Sequence, residues 1–134
     1  MCLDNVASKE KLDAWKAKQG KYVKVYKICR NYRRRWLSRF DFAYLKFRAG
    51  WNKDKNEGIL SVYCLPDIYP AGFHCYLSAG SALFKTEQWY ESCITAYVPT
   101  KDVVAKGSQD RHRVIVSRRI YMPKYPETVA EKPK

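Results

Sequence analysis

Signals that end a segment recur so closely along this chain that most of its helices and strands must be short. Six prolines and six glycines, with polar clusters such as Asn31–Arg35 and Gly107–Asp110, cut it into short runs. Lys21–Arg30 (KYVKVYKICR) is rich in Val, Ile and Tyr and holds no breaker, so it reads as a strand. Ile59–Cys64, Phe73–Leu77, Ser92–Val98, Val103–Ala105 and Arg113–Met122 read the same way. Trp36–Arg48 is apolar on both faces and reads as a buried strand or strand pair. Gly50–Gly58 reads as an exposed loop, Trp51 being its one apolar residue. Two short helices are expected. One is capped by Ser8 and stops at Gly20; the other is capped by Ser78 and runs to about Phe84, with Thr86 a candidate cap for a further turn to Tyr90. Helices segregated from the strands indicate an α+β fold, with a mainly antiparallel or mixed sheet of about six short strands and two short helices. Residues 1–20 form a lead-in and short helix, 21–122 a single domain, and 123–134 a flexible tail.

A chain of 134 residues has room for one domain of ordinary size. Eleven Tyr, five Phe and four Trp exclude a wholly disordered chain, since such chains lack the apolar surface to offset ordering. No apolar run approaches the roughly 18–20 residues that span a bilayer, and charge begins at Asp4, so a soluble, cytoplasmic protein without a membrane partner is expected. Five cysteines without a CxxC pair read as small buried hydrophobes of a reduced protein, and neither a metal nor a cofactor is indicated.

Charge narrows function further. The formal net charge is +13, and ten of the 26 Lys and Arg fall between Lys21 and Arg48 against a single acid, Asp41. Lys24, Lys27, Arg30, Arg33, Arg34, Arg35 and Arg39 are candidates to neutralise phosphates or acidic groups, releasing condensed counterions. Tyr32 and Trp36 are candidates to stack on unpaired bases. Arg118 and Arg119 extend the patch if the last strand lies beside the first. The partner this implies is nucleic acid or an acidic protein. His74, between Phe73 and Cys75, reads first as a hydrogen-bonded structural group and second as a cleft residue. No glycine-rich phosphate loop, HExxH, GxSxG or carboxylate cluster occurs, which favours binding over catalysis.

The segment Tyr69–Ser78 (YPAGFHCYLS), with Ala82, VVAKGSQ and VIVSRRIYM, resembles a loose group of small uncharacterised proteins of bacterial viruses and prophages. Residues Met1–Asp4, Gly50–Asn52, Gly72–His74, Val103–Gly107 and Val114–Ile120 carry the resemblance, which spans roughly two-thirds of the chain. It implies a phage-type accessory protein in a host cytoplasm, acting by binding. Within that group the acidic partner becomes a host or defence protein that the same patch inhibits. Gly72–His74 leading to Ala82 and then Val103–Val104 is similar, more faintly, to the ADP-ribosyltransferase fold. The sequence departs from that fold in lacking a Glu-x-Glu or Gln-x-Glu pair, with Glu87 and Glu91 the nearest acids. The analogy implies a degenerate or active relative of that enzyme.

Overall fold

The computed structural model describes residues 3–38, 46–54, 61–64, 67–85 and 91–134. In chain order the elements are α1 (Lys9–Ala17), β1 (Tyr22–Tyr32), β2 (Arg35–Ser38), β3 (Gly50–Lys53), β4 (Ser61–Cys64), β5 (Asp67–Pro70), β6 (Phe73–Tyr76), α2 (Ala79–Lys85), β7 (Glu91–Pro99), a 3-10 turn (Thr100–Asp102), β8 (Val103–Gln109), β9 (His112–Ser117) and β10 (Arg119–Met122). The α+β expectation holds, with ten strands among the described residues where about six were expected.

β1 organises the sheet because it is long and uninterrupted. It pairs along its length with β7, from Tyr22↔Pro99 to Arg30↔Glu91. On its other edge its end folds back into β2, and its middle bridges β6 at Tyr26↔Tyr76. The eight-stranded sheet runs β3-β10-β7-β1-β6-β9-β8 with β2 beside β1, while β4 and β5 form a separate pair. Among the described residues every pairing between these strands is antiparallel. β9 and β10 stand apart in that order with three strands between them, yet Arg118 alone links them. A single residue spans only about 7 Å between its neighbours, so the sheet curls until its members close a ring: β10, β7, β1, β6 and β9.

Three strand differences have local causes. Arg113–Met122 divides at Arg118, where the chain turns from one side of the ring to the other. β3 occupies the start of the expected loop because its backbone pairs with β10, although Trp51 and Lys53 give it no apolar alternation. Asp67–Pro70 pairs with β4 despite its flanking prolines, as an edge position permits.

Side-chain alternation divides the core into two layers. Val23, Val25 and Cys29 of β1 meet Ile94, Ala96 and Val98 of β7, Phe73 and Cys75 of β6, and Ile115, Ile120 and Met122 inside the ring. Helix α1 caps this layer with Leu12; Ser8 accepts from the Lys11 N–H at 3.3 Å, and the Lys16 Nζ donates to the Val103 carbonyl at 2.9 Å. The outer layer joins Ile28, Tyr76, Val114 and Val116 to Ala82 of α2, Tyr69 and Leu3. The Ser78 Oγ accepts from the Ser81 N–H at 3.0 Å, as its capping role requires. The turn expected at Thr86–Tyr90 lies outside the described residues.

Both ends of the chain dock onto the sheet. Asp4 exchanges backbone hydrogen bonds with Ser108 on the outer edge of β8, and the Ala7 N–H donates to the Lys106 carbonyl. At the other end the Thr95 N–H donates to the Thr128 carbonyl and the Thr95 carbonyl accepts from the Ala130 N–H, so the segment expected as a flexible tail occupies the β7 edge beyond β10. No described helix is long and apolar enough to cross a membrane.

Candidate functional site

The β1–β2 hairpin turns through two residues. Tyr32 pairs with Arg35, and Arg33 and Arg34 both have positive φ, 48° and 62°. This is a type I′ turn, whose twist matches the flanking strands but favours Asn-Gly, because a Cβ is strained in the left-handed region. Here both positions are arginine. The Asn31 Oδ1 holds the turn by accepting from the Arg34 N–H at 3.1 Å. Asn31 through Arg35 are all exposed. The Tyr32 ring has the Lys46 Nζ 4.8 Å and the Arg33 Cζ 5.4 Å from its centroid.

Beneath the turn lies a groove of about 250 Å³ lined by Arg34, Arg35, Trp36, Phe47, Arg48, Ala49, Pro123, Lys124 and Tyr125. Four of these side chains are cationic and none is acidic, so the groove concentrates anions. Trp36 does not stack outward. It is buried, its indole N–H donates to the Glu127 carbonyl at 2.9 Å, and its ring meets Tyr125 edge-on at 5.0 Å. Its job is to pin the 123–134 segment against the hairpin. Lys27 also leaves the expected patch, because it shares the inner face of β1 with Val25 and Cys29. It is 3% exposed, and its Nζ donates to the His74 carbonyl at 2.6 Å. Arg30 is half-buried, with Glu91 directly opposite in the ladder. Lys24 is exposed but lies about 26 Å along the strand from Tyr32. Arg39 lies outside the described residues.

The last strand does not lie beside the first, since β7 separates β10 from β1. Arg118 and Arg119 therefore belong to the other end of the sheet. The Arg118 N–H donates to the Asp102 carbonyl, and the Arg119 Nε pairs with the Asp102 carboxylate at 2.6 Å. Arg119 borders a second groove, of about 500 Å³, with Lys21, Tyr22, Trp51, Pro99, Thr100 and Lys101. Trp51 is 40% exposed there. It lies 5.1 Å from Tyr121, edge-on, and 6.0 Å from Tyr22, while the Arg119 Cζ sits 5.2 Å from its centroid. Sequence reasoning passed over Trp51 because its setting is created by β10, some seventy residues away.

His74 is enclosed rather than in a cleft. Its Nδ1 lies 3.2 Å from the Gly72 carbonyl, which only accepts, so Nδ1 carries the proton. Nε2 then accepts from the Tyr69 hydroxyl at 3.0 Å, and that hydroxyl accepts from the Leu3 N–H at 2.9 Å. The chain Leu3–Tyr69–His74–Gly72 thus satisfies each group in it. Burial pushes the Tyr69 hydroxyl above the usual tyrosine range; the Leu3 N–H opposes this and Asp4 adds to it. Cys75 points to the opposite face of β6, away from His74, and burial raises the Cys93 thiol, which disfavours its reactive thiolate form. Among the described residues no three His, Cys, Asp or Glu side chains gather as a metal site. No family model, curated protein or solved structure matches this chain.

Proposed function

We propose that this protein binds nucleic acid, with the β1–β2 hairpin and the groove beneath it as the phosphate-contacting surface. The observation that carries the reading is the cluster of Arg34, Arg35, Arg48 and Lys124, with no acid among the described residues that line the groove, one wall of which is a turn holding two arginines in left-handed backbone. Arginine is costly in that conformation, and strained residues of this kind gather at functional positions. Guanidinium forks engage phosphate oxygens through two parallel hydrogen bonds, which orient the backbone as well as neutralise it. Tyr32 adds an exposed ring already flanked by two cations.

A salt titration tests this. Binding of a labelled oligonucleotide should weaken linearly in log Kd against log salt, and changing Arg34 and Arg35 together to Ala should lower that slope by about 1.5, since each lost phosphate contact removes about 0.7–0.9. An unchanged slope would sink the reading. A one-to-one complex with an acidic protein that survives nuclease treatment would replace it with an inhibitory role for the same cations.

A further inference from the structure

We infer that the second groove receives an unpaired nucleobase against Trp51, making the ligand a single strand; the inference rests on the nucleic-acid reading above. Trp51 stands on the outer side of β3, steadied by Tyr22 and Tyr121 and still 40% exposed. Packing on its flanks fixes the ring in advance, so stacking on it costs little ordering entropy. The polar groups around it are cations. Lys21 and Lys101 line the groove, and the carboxylate of Asp102 is held by Arg119. Sugars need carboxylate or amide acceptors beside an aromatic platform, and no such side chain lines this groove; the Thr100 hydroxyl there donates to the Gly20 carbonyl. A planar ring joined to an anion meets both requirements, and a nucleotide is such a molecule.

Position selects a strand over a free nucleotide. The two grooves lie at opposite ends of one short ribbon, β3 paired with β10. Ala49 borders the first and Trp51 the second, about 7 Å apart along the chain; Pro123 and Arg119 stand about 13 Å apart on the partner strand. A backbone lying in the arginine groove can reach the Trp51 groove with an adjoining residue. Duplex DNA hides its base faces in the stack and cannot use Trp51, whereas an unpaired base presents a face of any sequence.

The test compares anisotropy titrations of fluorescein-labelled oligothymidylate, oligouridylate of equal length, and the matching duplex, each of about 12 units. Single strands should bind more tightly than the duplex, with the two oligomers distinguishing DNA from RNA. Trp51→Ala should weaken single-strand binding about tenfold, leaving duplex binding and the salt slope unchanged. Trp51→Phe should keep most of the affinity, yet lose the tryptophan quenching that the oligomer produces in the wild type; this second readout stands if the alanine variant fails to fold. Should Arg34→Ala/Arg35→Ala weaken binding while Trp51→Ala and the quenching change nothing, the stacking site is overturned and the nucleic-acid reading survives. Failure of all three probes to bind at low salt overturns both.

Discussion

At the scale of single residues, the turn Arg33–Arg34 sets stability against charge. Both residues occupy backbone that glycine or asparagine adopts at lower cost. The double change Arg33→Asn/Arg34→Gly is expected to stabilise the fold by about 1–2 kcal/mol, read as a higher urea midpoint with unchanged m, while oligonucleotide affinity falls. A loss of stability would mean that the arginines hold the hairpin together rather than burden it. Tyr69 gives a second residue-scale outcome. Its folded pKa lies above the ordinary value near 10, so its share of stability is complete below that value and is lost as pH rises through the folded pKa, where the unfolded chain ionises first. Tyr69→Phe should remove this alkaline loss. At neutral pH it should cost about 1–3 kcal/mol, because the Leu3 N–H and the His74 Nε2 lose their partner. Urea midpoints from neutral to strongly alkaline pH, measured on both proteins, check both halves.

At the scale of elements, Gly72 shows how tightly β6 meets β9. A Cβ at that position would stand 2.7 Å from the Ser117 carbonyl oxygen and 2.8 Å from a Val116 methyl. The first is backbone and cannot swing away, so Gly72→Ala should cost about 1–3 kcal/mol, seen as a lower Tm. Much of this level was legible in advance. The unbroken run of Val, Ile and Tyr in Lys21–Arg30 marked β1, and Ser8 and Ser78 marked the helix starts, because these signals are local. The period of two also placed Lys27 on the side of Val23, Val25 and Cys29; its charge drew it into the basic patch when its position argued for burial. Trp36 was misread for the opposite reason, since its partners Glu127 and Tyr125 lie some ninety residues away. Trp51 had no local signal at all, as β3 exists only through β10.

At the scale of the whole molecule, the cations that look continuous between Lys21 and Arg48 in sequence divide between the ends and the interior of a curled sheet. Arg34 and Arg35 go to one groove, Lys21 joins Arg119 at another, and Lys27 turns inside. Curling also determines which strand edges meet solvent. Closure spares the inner strands, and three borders that remain on the eight-stranded sheet are individually blunted. Asp4 and Ala7 cover β8, Lys46 and Phe47 bond to β2 through Leu37 and Trp36, and β3 is four residues long and ends on Lys53. Bare strand borders are the template on which sheets grow from one copy to the next and on which fibrils seed. Covered at these places and carrying a large like charge that keeps copies apart, this strand-rich chain is built to stay dispersed when crowded.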